Sequence, residues 1–155
     1  MVSDLNDNIN FRKMINSDRE EVLNMMRVFY DSPAVLSTPK DSVLERDFDD
    51  CVGECPFVTG FIIENNNETI GYMMTAMCYS TEYGGICIWL EDLYIKPEFR
   101  HLGAGSEALV FIEEYFPEAV RFKLEVETEN EKAVNCYRKN GYGISPYFQM
   151  TKEID

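Results

Sequence analysis

The sequence predicts a mixed α/β fold, with a central twisted sheet of six to seven strands and about four helices. Three observations predict it: hairpin patterns in the first half, a strand–helix–strand–helix order in the second half, and one strand that is apolar along most of its length. The sheet is expected to be mostly antiparallel, with one parallel pair between strands 86–95 and 122–127. We expect residues 1–155 to form a single domain, with residues 1–8 frayed.

The first half of the chain contains three predicted strands and two predicted helices. Alternating apolar residues predict a strand at 9–15. Apolar residues at helical spacing predict one helix that ends at Asp31-Ser32-Pro33 and a second from 37 to 51. Strands 57–64 and 69–79 flank the turn Asn65-Asn66-Asn67, which predicts a hairpin.

The second half changes to alternating strands and helices. The predicted elements are a strand at 86–95, a helix at 106–116, a strand at 122–127, a helix at 131–140, and short closing strands at 142–144 and 147–151. The strand at 86–95 is the most apolar, so we expect it to lie near the centre of the sheet.

The composition disfavours several classes of protein. The net charge of −14 repels nucleic acid and is compatible with a cationic small-molecule partner. No apolar run is long enough to span a membrane, and the first residues lack the pattern of a signal peptide. The five cysteines, an odd number, predict reduced thiols and a cytoplasmic protein. Cys51 and Cys55 lack further ligands at metal-binding spacing, so we expect no metal site.

The loop after strand 86–95 carries the strongest functional signal. Arg100-x-x-Gly103-x-Gly105 lies between a buried strand and a helix, the place where α/β sheets bind ligands. Glycines let the backbone approach an anion closely, and the N–H groups and dipole of the helix start attract it. Arg100 adds a fixed positive charge, and His101 belongs to the same loop. The pattern therefore predicts a phosphate-binding loop.

Two other phosphate-binding motifs fit this loop less well. A P-loop requires Lys-Ser/Thr after the glycines, and that pair is absent from the sequence. A dinucleotide fingerprint matches Gly103-x-Gly105-x-x-Ala108 in its letters, with Glu125 at the expected distance. In that fold, however, the glycines directly follow the strand, whereas here Lys96–Leu102 intervenes.

The loop resembles the Gln/Arg-x-x-Gly-x-Gly/Ala signature of the GNAT superfamily of N-acetyltransferases. The run from Trp89 to Arg100 looks like that family's fourth strand and the approach to its loop. Asn130-Glu131-x-Ala133-x-x-x-Tyr137-x-x-x-Gly141-Tyr142 looks like its second motif. Both motifs stand in the family's order, and the resemblance covers nearly the whole chain. It implies a GNAT-like fold whose parallel strands splay apart.

The resemblance implies acetyl-CoA as cosubstrate. In this family the pantetheine arm bonds to the fourth strand as an added strand, and the pyrophosphate lies on the glycine loop. The matching positions are Leu93, Tyr94, Ile95, Arg100, His101, Leu102, Gly103, Ala104, Gly105, Ser106, Asn130, Ala133 and Tyr137. Asn130 also suits the start of the last helix as a cap.

The resemblance also implies direct attack of a neutral amine on the thioester. Glu91 matches an acidic position of polyamine-type members and is the expected base, acting through water. Glu125 and Glu127 are further carboxylates near it, and their roles stay open. Tyr137 matches the family's general acid, which would protonate the departing thiolate.

The acceptor is expected to be a small cationic amine, with a polyamine favoured by the Trp89-Leu90-Glu91-Asp92 run and by the net charge. Glu91, Glu125, Tyr30 and Asp31 are its expected contacts, with Glu45 as a further candidate. A homodimer is compatible with the family. The alternative function is a catalytically silent acyl-CoA-binding or regulatory module on the same fold.

Overall fold

A five-stranded sheet in the order β1-β2-β3-β4-β5 lies at the centre of the computed structural model, which describes residues 8–154. Its strands are β1 Ile9–Lys13, β2 Val58–Asn65, β3 Glu68–Ser80, β4 Gly85–Ile95 and β5 Arg121–Leu124. Neighbouring strands are antiparallel except for β4 and β5, which are parallel. The mixed α/β class and the single parallel pair are therefore confirmed. The segment expected to fray lies, apart from Asn8, outside the described residues.

Four α-helices cover the sheet in the part of the chain that the structure describes. They are α1 Arg19–Tyr30, α2 Asp41–Val52, α3 Ala104–Tyr115 and α4 Glu131–Lys139. Short 3₁₀ segments at Asn16–Asp18 and Pro97–Leu102 precede α1 and α3. None of the helices within residues 8–154 has the length and apolar composition that crossing a membrane requires.

The sheet separates two hydrophobic clusters, one on each face. The first packs α1 and α2 against the sheet and includes Val22, Met26, Leu44, Phe48, Tyr72 and Tyr94. The second packs α3 against the other face, with Tyr137 of α4 at its margin, and includes Phe61, Ile63, Met73, Ile88, Leu109 and Ile112. Because both faces of β2 and β3 are covered, these strands are apolar on successive residues rather than on alternate ones.

The prediction of six to seven strands is wrong, because neither closing strand at 142–144 or 147–151 is formed. Gly141 has a φ of 89°, and Gly143 and Pro146 follow it, so the backbone here is poorly suited to a continuous strand. Most of the apolar side chains that suggested the strands point to solvent, with Phe148 99% exposed. The exception is Tyr142, which is partly buried and packs against the cluster under α3.

Several predicted boundaries also move. The first strand ends at Lys13 rather than at residue 15, and the last strand ends at Leu124 rather than at residue 127. The second helix begins at Asp41, because Lys40 still has extended backbone angles after Pro39. Helix α3 begins at Ala104, two residues earlier than predicted, because Gly103 in the left-handed region (φ 78°) redirects the chain directly into the helix.

Candidate active site

A β-bulge at Glu91 divides β4 into two halves. Thr75 of β3 pairs with Leu90 and the preceding Met74 pairs with Asp92, so Glu91 has no partner across the ladder. One extra residue reverses which face of the sheet the following side chains point to. Leu90 accordingly packs in the cluster under α3, whereas Asp92 is buried on the face that α1 and α2 cover.

The two parallel strands separate immediately after this point. Pairing between β4 and β5 runs from Cys87 with Arg121 to Leu90 with Leu124, and then stops. A cavity of about 230 Å³ opens at the separation, lined by Trp89, Leu90, Glu91, Glu125 and Gln149. The structure therefore brings together the two predicted carboxylates, Glu91 and Glu125. Gln149 was not predicted, because it lies in the C-terminal segment that was expected to form a strand.

The part of β4 that follows Glu91 has a free backbone edge facing this separation. The Lys96 N–H donates to the Ile70 carbonyl (2.7 Å), so the backbone of Lys96 faces β3. Backbone direction alternates along a strand, so Ile95 and Leu93 direct their N–H and C=O groups to the opposite side. Within residues 8–154, no strand pairs with that side beyond Leu90. The predicted positions Leu93 and Ile95 thus present backbone groups that pair with no strand, although the Ile95 carbonyl accepts a hydrogen bond from Arg100.

The predicted phosphate-binding loop at 100–105, called the anion loop below, lies around the end of β4. Arg100 Nε donates to the Ile95 carbonyl (2.8 Å), and its guanidinium carbon lies 5.7 Å from the centroid of the Tyr94 ring. Arg100 is exposed on the 3₁₀ segment, as is its neighbour His101. The loop then turns at Gly103 into α3, whose first N–H groups have no carbonyl partner within the helix. Arg100 and the helix start together form a site suited to an anion.

A hydrogen bond from Asn140, the residue that follows α4, joins that helix to the first turn of α3. Asn140 Nδ2 donates to Ser106 Oγ (3.1 Å) and to the Cys136 carbonyl (2.8 Å), while Ser106 Oγ lies 3.6 Å from Cys136 Sγ. At the other end of α4, the Asn130 side chain accepts from the Ala133 N–H (3.3 Å), which is the predicted cap. These contacts hold α4 against the predicted anion loop.

Tyr137 of α4 packs on the margin of the cluster under α3, with its ring centroid 6.1 Å from that of Tyr142. Burial raises the pKa of Tyr137 to about 12, and Cys136 adds to the shift. The phenol therefore keeps its proton throughout the physiological pH range. A group in this state can donate a proton but does not act as a base at neutral pH.

The cavity is strongly acidic. Burial raises the pKa of Glu91, and the negative charges of Asp92, Glu125 and Asp47 raise it further. A carboxylate with a raised pKa is a better proton acceptor than an ordinary one. The same group of negative charges favours a cation in the cavity.

Asp92 is the site residue that sequence reasoning did not select. It is 3% exposed and accepts hydrogen bonds from Tyr30 Oη and Tyr72 Oη, both at 2.7 Å. Burial raises the pKa of Asp92 to about 6, against the opposing effect of the two hydroxyl donors. The sequence did contain a signal: Glu91 and Asp92 are the only charged residues in strand 86–95, and neighbouring acids require different environments.

The other residues predicted to contact the acceptor amine do not all lie at the cavity. Tyr30 reaches the site from the end of α1 through its bond to Asp92. Asp31 is exposed just after α1, and Glu45 is exposed on α2. Neither of these two carboxylates lines the cavity that holds Glu91.

Comparisons with known proteins agree with this geometry. Residues 21–142 match the model of the acetyltransferase (GNAT) family. A thialysine N-epsilon-acetyltransferase of Sus scrofa is 38% identical over 74 residues, which cover 46% of this chain and 43% of that relative. The aligned stretch thus spans less than half the length of that curated relative.

Two solved structures show the same fold at low identity. A possible acetyltransferase from Clostridium difficile 630 superposes with a TM-score of 0.82 at 16% identity, covering 95% of this chain and 98% of that one. The structure of AAC(6')-Iy in complex with a bisubstrate analog, CoA-S-monomethyl-acetylneamine, gives 0.76 at 13% identity, covering 95% and 99%. At these identities the likeness concerns the fold.

Exchanging Asp92 for asparagine should change how stability depends on pH. The pKa of Asp92 in the folded state, about 6, exceeds the ordinary value of 3.8. Between these values the folded state keeps a proton that the unfolded state has released, so this residue's contribution to the free energy of unfolding falls as pH rises. We expect the free energy of unfolding of the wild type, minus that of Asp92→Asn, to decrease from pH 4 to about pH 6 and then level off.

Urea unfolding at successive pH values measures that difference. The Tyr30→Phe variant is the matched control, because it removes one hydroxyl donor that lowers the pKa of Asp92. In that variant the decrease should extend to higher pH. A difference between wild type and Asp92→Asn that does not vary with pH would contradict the assignment.

Proposed function

Because this chain belongs to the acetyltransferase (GNAT) family, we propose that it transfers an acetyl group from acetyl-CoA to a primary amine by direct attack. One observation carries the proposal: the free backbone edge of β4 at Leu93 and Ile95 lies between the anion loop and the acidic cavity. A cosubstrate with an amide-bearing arm and a pyrophosphate, together with a cationic acceptor, matches these three features in their order along the chain.

The proposed coenzyme site combines a strand edge and a helix start. Leu93 and Ile95 would bond the amides of the pantetheine arm as an added strand does, whereas the backbone of Tyr94 between them faces β3. Arg100 and the residues from His101 to Ser106 would hold the pyrophosphate, since α3 directs its free N–H groups there. Arg100 donates from Nε to the Ile95 carbonyl, which leaves its two terminal nitrogens to bind an anion. Asn130 and Ala133 would complete the site from the start of α4.

The thioester of acetyl-CoA supplies the acyl group, and the chain's own residues handle charge and protons. A backbone N–H of the free edge, such as that of Leu93, would bond the oxygen on which negative charge develops. Glu91 would take the proton of the attacking amine through a water molecule. Its raised pKa suits it to that task, because an amine with a pKa near 10.4 reaches neutral pH mostly protonated.

Tyr137 is the proposed acid for the departing thiolate. A thiol has a pKa of about 8.5, whereas that of Tyr137 is raised to about 12, so full proton transfer from the free enzyme's phenol is uphill. A hydrogen bond donated by the phenol to the developing thiolate still stabilises its charge. The contribution of Tyr137 should therefore be at the low end of general acid catalysis.

The proposed acceptor is a small cationic amine, with polyamine-like molecules favoured. The cavity places Glu91 beside Glu125, and the chain's net charge of −14 attracts cations over longer range. The related enzymes named for thialysine and the structure with an acetylneamine analog both concern amines as acceptors. The cavity's carboxylates support the same class here.

The first test of the proposal is release of the coenzyme A thiol from acetyl-CoA in the presence of spermidine, small diamines, lysine, an aminoglycoside or an N-terminal peptide. We expect release that depends on the amine and is fastest with a small polycationic amine. The background rate without amine is the control. Confirmed acetyl-CoA binding with no release for any amine would instead favour the silent acyl-CoA-binding module.

Exchanging Glu91 for glutamine should lower turnover about 10²-fold, because it removes the proposed base. In the wild type the rate should fall as pH drops through the raised pKa of Glu91, at a higher pH than for an ordinary glutamate. In Glu91→Gln this acidic limb should disappear. The matched control is Glu127→Gln, since Glu127 lies outside the cavity that Glu91 lines. Equal pH profiles for wild type and Glu91→Gln would remove Glu91 from the mechanism.

Exchanging Tyr137 for phenylalanine should lower turnover about 10-fold to 10²-fold while leaving the affinity for acetyl-CoA nearly unchanged. The ring keeps its packing, so only the hydroxyl is tested. Steady-state kinetics and calorimetric titration of acetyl-CoA separate the two effects. Tyr142→Phe is the control, because its hydroxyl is a neighbouring buried phenol to which we assign no role. Full turnover in Tyr137→Phe would exclude the phenol as the acid.

A further inference from the structure

Two cysteines lie directly opposite each other on the hairpin formed by β3 and β4. Cys78 pairs with Cys87 in the register of the two antiparallel strands, four pairs away from the bulge at Glu91. Directly opposed residues in antiparallel strands have Cα atoms about 4.5–5.5 Å apart. Disulfides span Cα separations of about 4.4–6.8 Å. The backbone therefore already holds the two residues at bonding distance.

The side chains also meet. Opposed residues of paired strands point to the same face of the sheet. Cys78 is close enough to Cys87 to raise the pKa of its thiol, and both cysteines are free. Cys78 is exposed to solvent, whereas Cys87 is fully buried. One thiol is thus open to attack by a dissolved reagent, and its neighbour is protected from that reagent but not from Cys78.

We propose that Cys78 and Cys87 form a reversible disulfide when the protein meets a low-molecular-weight disulfide. This modification site is independent of the acetyl-transfer proposal. In the first step the Cys78 thiolate attacks the reagent, forming a mixed disulfide and releasing one equivalent of thiol. In the second step the Cys87 thiolate attacks the Cys78 sulfur and displaces the second thiol. Two cysteine thiols are oxidised, and the reagent's disulfide is reduced to two thiols.

The surroundings of Cys87 set the order of the two steps. Burial raises its pKa, as does Cys78, while the positive charges of Lys123 and Arg121 on β5 oppose the shift. Burial keeps Cys87 from reacting with the reagent in solution, and the nearby cations favour its thiolate once Cys78 is linked. The order of events therefore follows from exposure: Cys78 reacts first and Cys87 resolves the intermediate.

The other cysteines offer no comparable pair. Cys51 packs in the core under α1 and α2, 7% exposed, and burial raises its pKa to about 12. Cys55 follows it in the loop after α2, outside any strand pairing. Cys136 lies on α4 beside Ser106. Cys51 with Cys55 is the nearest competing pair, and the test must distinguish it.

The sequence allows a direct test by mass spectrometry. The purified protein is incubated in its folded state with oxidised glutathione, and the remaining thiols are then blocked with N-ethylmaleimide at low pH. Cleavage after glutamate cuts at Glu68, Glu82 and Glu91, so Cys78 and Cys87 fall in separate peptides, 69–82 and 83–91. We expect these two peptides to be joined in the oxidised sample and separate after treatment with dithiothreitol.

Trp89 gives an independent reading in the intact protein. It is the only tryptophan of the chain and lies two residues after Cys87 on β4, so its side chain points to the same face of the strand. A disulfide quenches a nearby indole. We therefore expect the fluorescence of Trp89 to fall on oxidation and to recover on reduction.

Matched variants complete the test. Cys78→Ser changes an exposed side chain, and it should abolish both the joined peptides and the quenching. Cys55→Ser should leave both unchanged. The proposal is overturned if glutathione stays on Cys78 with Cys87 still alkylated, if Cys51 joins Cys55 instead, or if peptides 69–82 and 83–91 never appear joined.

Discussion

The single unpaired residue at Glu91 is the constraint on which the site depends. Without the bulge, Asp92 would face the same side of the sheet as Leu90 and meet the apolar cluster under α3. With it, Asp92 meets Tyr30 and Tyr72 on the opposite side, and Glu91 is left at the surface of the separation between β4 and β5. The same position thus exposes one carboxylate, buries the next, and precedes the free backbone edge at Leu93.

Burying the Asp92 carboxylate costs free energy, and it also fixes the position of α1 relative to β4. A charge taken out of water is unfavourable unless hydrogen bonds replace its hydration. The hydroxyls of Tyr30 and Tyr72 supply that replacement, and they come from α1 and β3, so the end of α1 is fixed relative to β4. Part of the penalty persists, which is why the pKa of Asp92 remains raised to about 6. Its negative charge also raises the pKa of Glu91, so the structural acid tunes the exposed one.

Sequence patterns located the parts of the site that depend on local order, and missed those that depend on pairing. The glycine loop, the cap at Asn130 and Glu125 were predictable because each lies next to the end of a strand or helix, and Glu91 was predictable from the family resemblance. The bulge could not be predicted from the sequence, because it depends on how β4 pairs with β3. The two closing strands were predicted from apolar residues such as Phe148, but a strand also needs a partner edge and a backbone without the breaks at Gly143 and Pro146.

The chain must also bind a polyanion if the proposed coenzyme is its cosubstrate, although its net charge of −14 opposes this. Local electrostatics resolve the conflict. The start of α3 and Arg100 provide positive potential on one side of the end of β4, while Glu91 and Glu125 provide negative potential where β4 and β5 separate. The free edge at Leu93 and Ile95 lies between the two regions. A ligand that is anionic at one end and meets a cation at the other therefore has one favourable orientation along this edge, and the overall charge favours entry of the cation rather than of the anion.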